Sequence, residues 1–144
     1  SLPQEGRYDY MLEEIEETLW ETPRVCELDK AWEGIQFCLG GCVWNEENSI
    51  PTNIVFGGEF LVETDDEIIT LKKYSDVMQI VTYLHQNNLQ EIVRKNVPLI
   101  DEQEYTLPIN DDTLNYLLGW SEDILSFYEN AQKESCSVIF TVDL

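Results

Sequence analysis

The stretch LDKAWEGIQFCLGG, residues 28–41, decides how the chain is read. Leu28, Ala31, Trp32, Ile35, Cys38 and Leu39 recur at steps of three and four, which draws one apolar stripe along a helix. Asp29 falls near the first turn, where a carboxylate favours the positive end of the helix dipole. Gly40 and Gly41 follow the last periodic residue, where glycine permits a left-handed stop. The spacing therefore assigns most of this stretch to packing, with Trp32 filling the core. A ligand notch of Asp29, Lys30, Trp32 and Glu33 is the alternative, with exposed amides and the Lys30 ammonium facing an anion.

Working outward, YMLEEIEETLW (residues 10–20) places Met11, Leu12, Ile15 and Leu19 at helical spacing, while Glu13, Glu14, Glu16 and Glu17 cover the rest with acid. Pro23 ends that helix. After a loop around Trp44, Glu46 and Glu47, NIVFGGEFLVE is rich in β-formers. The Gly57–Gly58 pair inside it marks a bulge or a close approach of another backbone or a ligand. TDDE (residues 64–67) leads into a short apolar segment. Ser75 is a candidate cap for a helix to about Gln86 with Val77, Ile80, Val81 and Leu84 inward, and Asn87–Asn88 stop it. Leu89, Ile92 and Val93 face the core from a further helical stretch. Asn110 caps a long helix from about Asp111 to Lys133, within which Gly119 is the weak point. CSVIFTV closes the chain as a buried strand. The expected fold is a single compact α+β domain over residues 1–144, frayed over 1–8, with helices dominant and a small mixed or antiparallel sheet.

In order along residues 28–144, the Asp29-Lys30-Ala31-Trp32 helix with Gly34, the Gly57–Gly58 segment, Tyr74, Ser75 and Val77, and Tyr128 and Ala131 before Val138–Phe140 together make a pattern. It resembles the YfbM-like family, domain-of-unknown-function family 1877, which implies an α+β bacterial domain without implying a mechanism. Glu33 and Gln36 stand where relatives carry histidine, so the resemblance brings no metal or acid–base role through this helix.

Charge narrows the functional classes. The chain has 8 Lys/Arg against 29 Asp/Glu, a formal net charge of −21. Such a field repels phosphate backbones and anionic membranes, because nucleic-acid affinity depends on cationic groups releasing counterions. It attracts basic proteins and speeds encounter with them. No apolar run approaches the roughly 20 residues of a membrane span, and no basic-then-apolar leader pattern is visible. A cytoplasmic location is expected.

The residues give little support to catalysis. The single histidine, His85, sits near a helix end. Cys26, Cys38, Cys42 and Cys136 lack the paired spacing of a structural zinc site and read as small apolar residues in a reducing compartment, with Cys38–Cys42 as a minor disulfide option. VFGGEF lacks the lysine and Ser/Thr of a phosphate loop. TDDE lacks the alternating ligands and glycine of a calcium loop. No cofactor or metal is expected. The favoured expectation is a non-catalytic acidic protein, monomer or homodimer, that binds and neutralises a basic bacterial toxin as an immunity protein. Its binding residues are Glu13, Glu14, Glu16, Glu17, Trp44, Glu46, Glu47, Asp65, Asp66 and Glu67, with Trp20, Trp44 and Phe60 as aromatic anchors. An enzyme or small-ligand binder using a cleft near Lys30, Trp32 and Gly57–Gly58 is the alternative.

Overall fold

The computed structural model describes residues 22, 24–41 and 48–144. The acidic helix expected over residues 10–20, its anchor Trp20, and the loop carrying Cys42, Trp44, Glu46 and Glu47 lie outside the described residues. Five helices, α1 Ala31–Gly40, α2 Tyr74–Gln86, α3 Leu89–Asn96, α4 Asp111–Ser121 and α5 Ile124–Lys133, and three strands, β1 Glu59–Glu63, β2 Glu67–Lys72 and β3 Val138–Asp143, are found among them. The strands form an antiparallel sheet in the order β1-β2-β3. Helix α2 packs on α5, α3 on α4, and α1 on both α3 and α4. The outcome is an α+β fold dominated by helices.

The deciding stretch forms its helix, with Ala31, Trp32, Ile35 and Cys38 buried. Gly41 takes φ 82 and its N–H donates to Phe37 O at 2.8 Å, so the left-handed stop is real. Asp29 behaves differently from expectation. It lies before the helix with φ 49, Lys30 is the N-cap residue, and the Asp29 carboxylate accepts a 2.5 Å bond from the Tyr116 hydroxyl of α4. It anchors the approach to α1 against α4, and its carboxylate also accepts from the backbone N–H of Lys30 at the helix start.

Gln36, in the same helix, is only 1% exposed. Its amide nitrogen donates to Thr52 O at 3.1 Å and its oxygen accepts from Phe56 N at 3.0 Å. A buried amide satisfied on both sides fixes one register of α1 against the 51–56 turn. That turn begins with the short 3₁₀ helix Pro51–Asn53 and buries Ile54, Val55 and Phe56. The strand expected through Gly57–Gly58 therefore starts only at Glu59. The glycines mark a close approach: a Cβ on Gly58, at φ 122, would meet Leu71 O at 2.5 Å. The bulge itself lies further on, between Phe60 and Val62.

Val77, Ile80, Val81 and Leu84 are the buried face of α2, as the spacing requires. Its cap is not Ser75. The helix starts at Tyr74, and the Asp76 carboxylate reaches back to accept from Lys73 N at 3.1 Å. Asn110 does cap α4, accepting from Thr113 N at 2.9 Å. The long helix expected to Lys133 is broken at Glu122–Asp123. Ser121 Oγ donates to Leu118 O at 2.9 Å, and Gln90 Nε2 reaches both Ser121 Oγ at 2.7 Å and Leu118 O at 3.3 Å. With that carbonyl taken by side chains, the helical ladder lapses for a turn. β3 also departs from expectation: among the described residues it pairs on one side only, and Ile139 and Thr141 are exposed. No described helix is long and apolar enough to cross a membrane.

Candidate functional site

Two features stand out: an aromatic-walled cavity over a buried lysine, and an acidic end of the sheet. The cavity follows from strand parity. Alternate residues of a strand share a face, so Ile68, Thr70 and Lys72 of β2 point one way. The pairings Ile68↔Val142, Thr70↔Phe140 and Lys72↔Val138 set three apolar residues of β3 beside them. Against this face stand Trp32 of α1, Phe127 and Tyr128 of α5, and residues 24–29, lining an open-sided cavity of about 430 Å³. Trp32 stacks on Phe56 at 5.7 Å and meets Phe140 at 5.6 Å. The Tyr128 hydroxyl donates to Ile54 O.

Lys72 is part of the lining and is 0% exposed. Its ammonium nitrogen donates to Val55 O, and to Thr70 Oγ1 at 3.3 Å, and lies 5.1 Å from the centre of the Phe140 ring. It forms no ion pair with any described residue. Burial without a counter-charge lowers its pKa to about 7. Arg24, Glu27 and Asp29 are the other charged groups around the cavity, and Arg24 is engaged with Glu134 at 3.2 Å. Cys26 also lines it, but burial pushes its thiol up to about 11, so it stays protonated.

The notch expected at residues 29–33 is divided by the structure. Asp29 and Trp32 line the cavity, whereas Lys30 and Glu33 do not. Asp29 is held below the usual carboxylate range chiefly by the Tyr116 hydroxyl. Glu33 is half-buried and burial raises its pKa. Beside α1, Tyr105 is buried with no hydrogen-bond partner for its hydroxyl, and burial lifts its pKa to about 12. Gly57 and Gly58 line a different recess, with Asn53, Glu59, Phe60 and Lys73. The cleft expected to join Lys30, Trp32 and the glycine pair is therefore two separate hollows.

At the sheet end, Thr64 closes the β1–β2 turn: its N–H donates to Glu67 O at 2.9 Å and its hydroxyl accepts from Asp66 N and Glu67 N. Leu144 N donates to Asp66 O at 2.8 Å, which draws the end of β3 alongside. Glu67 stands directly opposite Asp143. Glu63, Asp65, Asp66, Glu67 and Asp143 thus gather at one end, and Asp65, Asp66 and Asp143 are exposed. The sequence marked residues 65–67; Asp143 joins them only through strand register. Of the expected aromatic anchors, Phe60 is described and is 46% exposed.

The candidate reactive groups lie apart. His85 is exposed and 3.3 Å from Glu129. Cys38 is free and buried, with its thiol pushed up to about 12 by burial. Lys72 was missed by sequence reasoning, because EIITLK is apolar on both parities and its Lys-Lys end reads as a solvated terminus. The available signal was that Lys72 shares parity with Ile68 and Thr70.

The fold is similar to the crystal structure of YfbM from Escherichia coli, a protein of unknown function. The TM-score is 0.63 and the identity 16%, over 98% of this chain and 93% of that one. No curated protein matches by sequence. The model of a family described as a domain of unknown function, DUF1877, matches residues 1–141, and the chain belongs to that family.

Proposed function

We propose that this protein acts by binding a basic protein partner, and that the partner is a bacterial toxin domain which it neutralises as a cytoplasmic immunity protein. The observation that carries the reading is the acidic sheet end on a chain of net charge −21. Asp143 stands opposite Glu67 across paired strands, which places it beside Asp65 and Asp66 of the β1–β2 turn. Asp65, Asp66 and Asp143 are exposed there, and the ion pairs among the described residues do not involve them. Attraction between such a surface and a basic one raises the association rate and falls steeply with salt. Nuclease-type toxins, which present cationic substrate-binding surfaces, are the fitting class of partner.

The test is whether a gene for a basic toxin domain adjoins this one, followed by binding of the purified chain to that domain at about 50 mM and about 500 mM salt, where the screening length shrinks about threefold. Wild type should bind at low salt and lose at least about tenfold in affinity at high salt. The Asp65→Lys/Asp66→Lys/Asp143→Lys variant should bind weakly at both. Binding indifferent to salt and to this charge reversal, or no binding at all, would refute the proposal.

A further inference from the structure

We propose that the outer edge of β3 and the cavity beside it form a groove that takes an extended segment of a partner protein as an added strand, one in which apolar and basic residues alternate. The inference does not rest on the toxin reading above, since it concerns the strand edge and its test needs only a peptide.

Register shows which backbone groups are free. In an antiparallel ladder, pairs that exchange hydrogen bonds alternate with pairs that do not, so every second residue turns its N–H and C=O to the same side. Leu144 N donates to Asp66 O at 2.8 Å, which marks that pair as a bonded one. Val142↔Ile68, Phe140↔Thr70 and Val138↔Lys72 follow it at steps of two. The N–H and C=O groups of Ile139, Thr141 and Asp143 therefore point away from β2. Among the described residues no strand lies on that side, and these outward groups have no hydrogen-bond partner. All three residues are exposed. Such an edge is a template for pairing with another chain.

The cavity reaches this edge. Residues 137–142 line it without a gap, whereas a hollow confined to one face of the strand would meet only Val138, Phe140 and Val142. Across from them lie residues 24–29, of which 25–28 belong to no helix, strand or turn. A strand seated about 4.8 Å from β3 would send alternate side chains to opposite faces. Those on the inner face would enter the apolar walls made by Trp32, Phe127 and Ile124. Main-chain bonds to the edge then supply affinity, and the walls select the alternate side chains.

Charge sets the other half of the pattern. Glu27 and Asp29 are exposed at the groove and Asp143 is exposed at the end of β3. The exposed cation there, Arg24, is engaged with Glu134 at 3.2 Å. Basic side chains on the outer face of the added strand meet complementary charge, and acidic ones meet repulsion.

Hydrogen exchange followed by NMR tests this in the full-length chain at pH 7 and low salt. The probe is a capped heptapeptide of alternating lysine and valine. In the free chain the amides of Ile139 and Thr141 should exchange at least about tenfold faster than those of Phe140 and Val142, which are bonded to β2. The peptide should slow Ile139 and Thr141 at least about tenfold, and a glutamate–valine peptide should not. Thr141→Pro removes one outward N–H and spares the ladder to β2. It should abolish binding of the lysine–valine peptide while Phe140 and Val142 stay protected, which shows that the fold is kept. Slow exchange of Ile139 and Thr141 in the free chain would mean that the edge is already covered, by the chain itself or by a second copy, and would overturn the proposal. So would a lysine–valine peptide that leaves these amides fast, equal protection by the glutamate–valine peptide, or undiminished binding to Thr141→Pro.

Discussion

At the scale of single residues, two buried polar groups set measurable properties. Tyr105 has no partner for its hydroxyl, which lies 2.7 Å from the place a Cβ on Gly34 would take. Tyr105→Phe removes an unsatisfied group, so it should leave stability unchanged or raise it by about 1 kcal/mol in urea unfolding. Lys72 makes stability depend on pH. Its pKa is about 7 in the fold and 10.5 as a free side chain, so between those values the unfolded chain binds more protons. Its contribution is fully present above about 10.5 and is lost as pH falls toward 7. The buried thiols act in the opposite direction: Cys26 and Cys38 have raised pKa values, so their contribution is lost as pH rises past 9, where the unfolded thiols ionise. Urea midpoints at pH 7.0 and 8.5 isolate the lysine. The wild type should be more stable at the higher pH, by roughly 1–2 kcal/mol from this group, and Lys72→Met should remove that slope. Neither Tyr105 nor Lys72 was legible as unusual in the sequence, because each owes its character to neighbours distant along the chain.

At the scale of elements, periodicity was a good guide wherever one face of one element decides the outcome. The stripe of Trp32, Ile35 and Cys38, the face of Val77, Ile80, Val81 and Leu84, and the Asn110 cap all read directly from local spacing. It failed at the α4–α5 break. Thr113, Leu117, Ser121, Ile124 and Tyr128 keep helical steps straight through Glu122–Asp123, so the apolar spacing does not interrupt them, and Gly119 was the one local mark of weakness nearby. The break depends on Gln90, from another helix, joining Ser121 at the Leu118 carbonyl. Gln90→Ala should cost about 1 kcal/mol and raise amide hydrogen exchange at residues 121–124, with little change in α2. The same limit hid the Asp29–Tyr116 contact and the separation of the Gly57–Gly58 recess from the Trp32 cavity, since both depend on how elements meet.

At the scale of the whole molecule, charge and fold work together, and the family's fold was legible because its ordered sequence markers lie at the turns and helix ends that build it. The acid count was equally plain, but its placement was not: Asp143 comes opposite Glu67 only through antiparallel pairing of the last strand with the middle one. Within the described residues, β1 and β3 each have one strand neighbour and therefore a free edge. Glu59 and Glu63 stand on one edge strand and Asp143 on the other, all exposed. A second copy seeking to extend the sheet by strand addition would bring like charges into register, so the acidity also guards against self-templating. Removing these charges weakens the guard. Light scattering of the intact chain at pH 7 should show growth of aggregates in the Glu59→Gln/Glu63→Gln/Asp143→Asn variant that is absent in the wild type.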